Sequence, residues 1–167
     1  RDGSTRPEAL IAALKIKPGM TAADSGSGTG YMLPYLSKAV GPNCKVFGED
    51  IQQEFLDRAK QKNIANVQFI LGSETDPKLP PESVDVALVL DVYHHFDYPS
   101  KMLAAIRSGL KPGAHLVIVD FYKSASPTPG HIRAEREQVA SENESNCFHM
   151  LSQRAQIPNT QFILTVN

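Results

Sequence analysis

The sequence predicts a doubly wound α/β domain, and three observations predict it. Segments with helical periodicity alternate with short apolar runs along most of the chain. Several of those runs, "VDVALVLD" and "HLVIVD" among them, are nearly continuous in apolar residues, as a parallel sheet covered by helices on both faces requires. The stretch "ADSGSGTGYM", residues 22 to 31, then sets three glycines at alternate positions behind an acidic residue, where the first strand turns toward a helix.

Taken in order, Thr5-Arg6-Pro7-Glu8 has capping-box spacing, with Pro7 in the first turn, where a missing N–H does no harm. Leu10, Ile11 and Leu14 share one helical face, so a helix is predicted over residues 6 to 15, ending ahead of Lys17-Pro18-Gly19. "MTAAD" follows as a short strand running into the glycines. A helix after Thr29, the strand "CKVFGED", the helix "QEFLDRAKQKN", the strands "VQFIL" and "VDVALVLD", and a helix from Pro99 to Leu110 come next. Lys111-Pro112-Gly113 uses the same helix-to-strand turn again before "AHLVIVD", but its flanks do not otherwise match, so there is no sequence repeat. Beyond the loop "SASPTPG", the polar segment "IRAEREQVASE" is a helix candidate. "FHMLSQRA" and "QFILTV" read as two closing strands joined around Pro158-Asn159, an antiparallel hairpin at one sheet edge.

Length and charge exclude several classes of function. The 167 residues fit one domain, residues 1–167, able to bury a core without disulfides or a structural metal. No apolar run is long enough to span a bilayer, so no membrane partner is expected. A formal net charge of -1, with Lys and Arg scattered along the chain, supplies no basic stripe for a nucleic acid. A small or neutral partner is expected instead. Cys44 and Cys147 lie far apart and form no C-x-x-C, so they read as reduced structural thiols of a cytoplasmic protein. The start at Arg1 leaves room for a removed signal segment and, with it, an exported form.

In open α/β sheets, ligands bind at the carboxyl ends of the strands, beside the first strand-to-helix turn. Gly26 and Gly28 would let the backbone bend sharply and approach a ligand, while Gly30 would relieve contact between the opening helix and the sheet. A tight turn without a ligand is the plainer alternative. A dinucleotide site calls for G-x-G-x-x-G, whereas the spacing here is G-x-G-x-G, and Asp24 would set a negative charge near any phosphate. A ligand carrying positive charge fits better, and the sulfonium and amino groups of S-adenosylmethionine meet that demand. Asp50 closes "VFGED", where a carboxylate can accept both hydroxyls of a ribose.

These residues resemble those of a class I S-adenosylmethionine-dependent methyltransferase, one of the small methyltransferase-domain proteins grouped as type 11. The resemblance covers nearly the whole chain through "IKPGMTAADSGSGTGYM", "VFGEDIQQEFLDRA", "LPPESVDVALVLDVYHHFDYP" and "LKPGAHLVIVDF". It implies a three-layer, Rossmann-like methyltransferase fold with seven strands in the order 3-2-1-4-5-7-6 and the last strand antiparallel. It also implies methyl transfer from S-adenosylmethionine to a small-molecule acceptor. Asp24, Gly26, Gly28 and Gly30 then belong to the methionine moiety and the turn beneath it, with Ser25, Ser27 and Tyr31 on that same donor-binding turn. Asp50 belongs to the ribose, Ile51 to the adenine face, and Asp91 and Val92 to the donor side of the fourth strand. After the third strand, proteins of this family often have Gly-Asp, whose acid meets the adenine amino group. This chain has Gly72-Ser73-Glu74, which leaves that contact to Ser73, Glu74 or Asp76. Ser25 stands where a bulky aliphatic residue is usual, a departure expected to lose core packing rather than chemistry.

In the family arrangement, "LDVYHHFDYP" sets Asp91, Val92, Tyr93, His94 and His95 on the loop facing the donor methyl. Methyl transfer is an in-line displacement, so alignment and exclusion of water lower much of the barrier. A base helps when the acceptor must lose a proton, and a neutral imidazole can take one at physiological pH. His94 and His95 are therefore the candidate catalytic residues, with Asp91 beside them; the alternative is that the histidines shape the pocket. Asp91, His94 and His95, or His131 and Glu135 at helical i, i+4 spacing, could ligate a metal, but no cluster has recognised spacing and none is predicted. Tyr31 and Tyr93 are candidates either for the pocket wall or for packing. The acceptor pocket is expected between the N-terminal segment, "DVYHHF" and "YKSASPTPGH". Rival functions are a nonenzymatic nucleoside-binding module, suggested by Ser25 and Ser73, and a nicotinamide-dependent oxidoreductase, disfavoured by the glycine spacing and Asp24.

Overall fold

The computed structural model describes residues 6–121, 136–157 and 161–167. Seven strands form one sheet in the order β3-β2-β1-β4-β5-β7-β6. They are β1 (Ala22–Ser25), β2 (Val46–Asp50), β3 (Val67–Leu71), β4 (Val84–Leu90), β5 (Leu110–Phe121), β6 (Met150–Ile157) and β7 (Gln161–Val166). Strands β1 to β5 pair in parallel, and β7 runs antiparallel between β5 and β6, as expected from the sequence. The helices are α1 (Pro7–Leu14), α2 (Leu33–Val40), α3 (Gln53–Lys60), α4 (Pro99–Gly109) and α5 (Arg136–Ser145).

Period-two burial explains the three layers. On β4 and β5, Val86, Leu88, Leu90, Val117 and Val119 face a core with Leu10 and Leu14 of α1 and Leu33, Leu36 and Val40 of α2. Ala87, Val89, Leu116 and Ile118 face the opposite core, against Met102, Leu103 and Ile106 of α4 and Val139 of α5. Both faces of the central strands are thus dry, and this is why their sequences read as unbroken apolar runs.

Differences from expectation at three element ends have a physical reason. The N-cap of α1 is Arg6, with no side-chain cap bond, whereas Thr5, the first residue of the expected capping box, lies outside the described residues. α2 begins at Leu33 rather than just after Thr29, because the glycine stretch continues as turns through Met32. Lys111-Pro112-Gly113 lies inside β5 rather than before it. Leu110 pairs with Val84 and His115 with Val86, so the strand bulges out between them and Gly113 takes a φ of 77°. Asp85 Oδ2 secures the bulge, accepting from Lys111 Nζ at 3.1 Å and from the Thr21 N–H at 2.8 Å.

Candidate active site

A cleft of about 950 Å³ opens at the carboxyl ends of β1, β2 and β4. Its wall brings together most of the residues singled out from sequence: Ser25, Gly26, Ser27, Gly28 and Tyr31 from the first turn, Asp50 and Ile51 after β2, Glu74 after β3, and Asp91, Val92, His94 and His95 after β4. Asp24, Gly30, Gly72 and Ser73 are not on the wall. Asp24 is fully buried within β1. Ser73 closes a local turn, its backbone N–H donating to the Asp76 carbonyl at 2.8 Å. Of the acids expected near an adenine, Glu74 is the one on the wall. The described part of the N-terminal segment contributes no wall residue, and "YKSASPTPGH" lies outside the described residues.

The glycine turn has two positions where a side chain is excluded for different reasons. Gly26 has a φ of 76°, and a Cβ there would sit 2.6 Å from Val92 Cγ2, so the turn packs directly on the loop after β4. Gly28 has a φ of 58° but nothing within 4 Å of its Cβ position, so it borders open space on the cleft wall. Gly30 does not border the sheet as expected; a Cβ there would meet Ala59 of α3 at 3.1 Å, Leu33 of the opening helix α2 at 3.2 Å and Lys62 just beyond α3 at 3.3 Å, so it lets the end of α3 approach the turn.

β2 holds this turn through both of its last two residues. The Glu49 carbonyl accepts the N–H groups of Gly26 and Ser27, each at 2.8 Å. Asp50 Oδ2 accepts the Gly28 N–H at 2.9 Å and Oδ1 accepts the Gln52 N–H at 3.0 Å. Ser25 does more than lose packing: its hydroxyl donates to Glu49 Oε2 at 2.7 Å. Burial, joined by the nearby charges of Asp50 and Asp24 and opposed by the bonds from Ser25 and Gly26, pushes the Glu49 carboxyl up to about 8. Ser27 Oγ is buried on the cleft wall with no hydrogen-bond partner.

The loop after β4 is fixed from three sides. Asp91, at a φ of 56°, donates its N–H to the Val119 carbonyl at 2.8 Å, and its Oδ1 accepts from Gln161 Nε2 at 2.7 Å. Tyr93, His94 and His95 form one 3₁₀ turn. Tyr93 is fully buried beside Phe96 and donates its hydroxyl to Glu142 Oε2 at 2.7 Å, so it packs rather than lines the cleft. His94 and His95 both line it, with ring centroids 4.0 Å apart. Asp120, at the end of β5, holds His94 twice: Oδ2 accepts the His94 backbone N–H at 2.9 Å, and Oδ1 lies 2.8 Å from Nδ1.

The sequence analysis singles out Asp50 in "VFGED" but assigns no role to Glu49 beside it, to Asp120 or to Gln161. The available signal was an acidic residue ending an otherwise apolar strand, as in "VFGED" and "HLVIVD", where a carboxylate reaches the sheet's ligand edge. Phe96 and Met102 also join the wall near the histidines. Among the described residues, no group of three or more His, Cys, Asp or Glu side chains could hold a metal ion, and no helix is long and apolar enough to cross a membrane. His131 and Glu135 lie outside the described residues.

Comparison with known proteins agrees with this architecture. A solved S-adenosylmethionine-dependent methyltransferase from Aquifex aeolicus superposes with a TM-score of 0.91 at 28% identity, covering 99% of this chain and 93% of that one. An uncharacterised 37.1 kDa transposon protein from Streptomyces fradiae is 36% identical over 111 residues, 65% of this chain and 32% of its own length. A ubiquinone/menaquinone biosynthesis C-methyltransferase from Burkholderia cenocepacia is 29% identical over 121 residues, 70% of this chain and 49% of its own length. The chain therefore spans half or less of the length of these two curated relatives. The family model described as "Methyltransferase domain" matches residues 16–162, and the chain belongs to that methyltransferase-domain family.

Proposed function

We propose that the protein binds S-adenosylmethionine in the cleft and transfers its methyl group to a small-molecule acceptor. Support comes chiefly from one juxtaposition: the Gly28 N–H is tied to Asp50 on the same wall that carries the buried, unpartnered Ser27 hydroxyl. Such a wall suits a nucleoside with a charged tail. Each Asp50 oxygen accepts one backbone N–H and keeps a second lone pair for a ribose hydroxyl. Gly28 leaves room for the tail to approach the backbone, and Glu74 and Ile51 border the adenine end. Asp91, Asp97 and Asp50 give the wall a negative bias that favours a cationic ligand.

When bound, the donor supplies a methyl group already activated on sulfonium sulfur. The chain's own work is then to hold the acceptor in line with that methyl, exclude water and accept any proton the acceptor must lose. Val92, Phe96 and Met102 give an apolar lining on the histidine side, and His94 and His95 are the bases within it. The family match and the Aquifex aeolicus methyltransferase favour this reading over the nucleoside-module and oxidoreductase alternatives.

Calorimetry and thermal shift with S-adenosylhomocysteine test the donor half directly. Binding should raise the melting temperature by mass action, with NAD and ATP doing much less. Tight binding of NAD with none of S-adenosylhomocysteine would refute the proposal.

A further inference from the structure

We infer that the acceptor presents a weakly acidic aromatic hydroxyl, which His94 deprotonates, and that Asp120 is the positioning residue holding His94 in the required tautomer. This rests on the methyl-transfer reading above and adds to it an acceptor class and a residue that touches no substrate.

Asp120 is almost fully buried, and both of its carboxylate oxygens are directed at the same histidine. A carboxylate only accepts, so the 2.8 Å contact at Nδ1 requires the proton on Nδ1. A neutral ring then carries its lone pair on Nε2, which no described residue hydrogen-bonds. His94 lines the cleft, so this lone pair serves the cleft rather than the fold. The second bond, from the His94 backbone N–H to Oδ2, fixes the backbone that carries the ring. Ring and backbone are thereby held as one unit.

A base so prepared is useful only for some acceptors. A neutral amine attacks with its own lone pair and needs no deprotonation beforehand. A thiol, at an ordinary pKa of about 8.5, supplies thiolate without much help. An aliphatic alcohol is far too weak an acid for an imidazole, whereas a phenol, near an ordinary value of about 10, is within reach as its oxygen begins to bond. The surroundings agree: Val92, Phe96 and Met102 offer apolar surface for a ring, and Asp91 and Asp97 disfavour an acceptor that brings its own carboxylate. In the step, the phenolic proton passes to His94 Nε2 and the phenolic oxygen bonds to the methyl carbon. The carbon–sulfur bond breaks with its electron pair returning to sulfur, and the imidazolium later gives its proton to water.

Asp120→Asn makes the tautomer testable. With one oxygen where there were two, an asparagine that still accepts the His94 backbone N–H must turn its NH₂ toward Nδ1, which drives the ring proton to Nε2. ¹⁵N-imidazole NMR of the wild type should report the proton on Nδ1, and the variant should report it on Nε2. With a series of para-substituted phenols as probes, the wild type should form methyl ethers. In the variant kcat should fall ~100- to 10,000-fold with KM nearly constant. Affinity for S-adenosylhomocysteine should be the same in both. A wild-type ring protonated on Nε2 overturns the tautomer argument before any variant is made. Unchanged kcat in a folded variant overturns the role of Asp120, and C-methylated products, or no transfer to any phenol, overturn the acceptor class. Loss of S-adenosylhomocysteine binding by the wild type would instead strike the underlying methyl-transfer reading, so the two failures are separable.

Discussion

Ser25 and Glu49 face each other as register partners on β1 and β2, and the Ser25 hydroxyl donates to Glu49 Oε2 at 2.7 Å inside the sheet. A polar pair thus occupies a place where two apolar side chains would pack, and the other glutamate oxygen, Oε1, is buried without a partner beside Gly72. The Glu49 carboxyl, at 4.5 when free, is pushed up to about 8, chiefly by burial. Its folded-state value is the higher of the two, so folding takes up a proton across that window. The stability it contributes is complete below about pH 4.5, declines as pH rises toward 8, and is flat beyond. Glu49→Gln should remove this decline, a difference of roughly 5 kcal/mol at most, at about 1.4 kcal/mol per unit. Denaturant unfolding of both proteins from pH 5 to 9 measures it, and parallel pH profiles would contradict it.

Gly26→Ala and Gly28→Ala should separate packing from ligand approach. Both alanines would sit at positive φ, at a cost of about 1–2 kcal/mol each. Gly26→Ala must also displace Val92, adding roughly 1–3 kcal/mol of overpacking. Gly28→Ala meets open space and should keep more stability than Gly26→Ala while weakening S-adenosylhomocysteine binding. Chemical denaturation paired with calorimetry measures both effects; equal stabilities for the two variants would refute the Val92 contact.

Asp50→Ala should lose donor affinity and some stability together, because the carboxylate also accepts the Gly28 and Gln52 N–H groups. Hydrogen bonds to charged groups contribute about 1.5–3 kcal/mol each. Asp50→Asn retains one acceptor oxygen and should fall between wild type and alanine in both respects. Undiminished S-adenosylhomocysteine affinity in a folded Asp50→Ala would remove Asp50 from the donor site.

Tyr93→Phe should cost about 0.5–1.5 kcal/mol of stability by removing the hydroxyl that reaches Glu142. Its effect on methyl transfer should be small, since Tyr93 is off the cleft wall. A double-mutant cycle with Glu142→Ala, which removes the acceptor, isolates the pair, and a zero coupling energy would argue that the contact does not form in solution.

The fold was legible because its strands are buried on both faces, so "VDVALVLD" and "HLVIVD" announce themselves without any knowledge of neighbours. The glycine turn was legible for a similar reason: Gly26 and Gly28 sit at conformations that other residues avoid. What escaped depends on pairing between strands. Asp120 meets His94 only because β5 lies beside β4, and Glu49 meets Ser25 only because β2 lies beside β1 in a particular register. The bulge at Lys111-Pro112-Gly113 looked like a loop because proline and glycine punctuate loops, yet a strand absorbs both where it swells out of register. Tyr93 was ambiguous because an aromatic residue after a strand can turn either way, and here Glu142, 49 residues on, holds it inward.

β7 fills the slot between β5 and β6, and its first residue, Gln161, reaches across to Asp91. For a chain still on the ribosome this sets an order of events. Once residues 22–121 are out, the segments of β1 to β5 and the whole glycine turn are outside the tunnel, but β7, the partner of the β5 edge, and its Gln161 are not. An unpaired edge is a template for any other extended segment nearby, including one from a neighbouring nascent chain. The newborn protein therefore passes through an interval in which its cleft is outlined while its sheet is unsealed, and that interval closes only when residues 161–166 leave the exit tunnel.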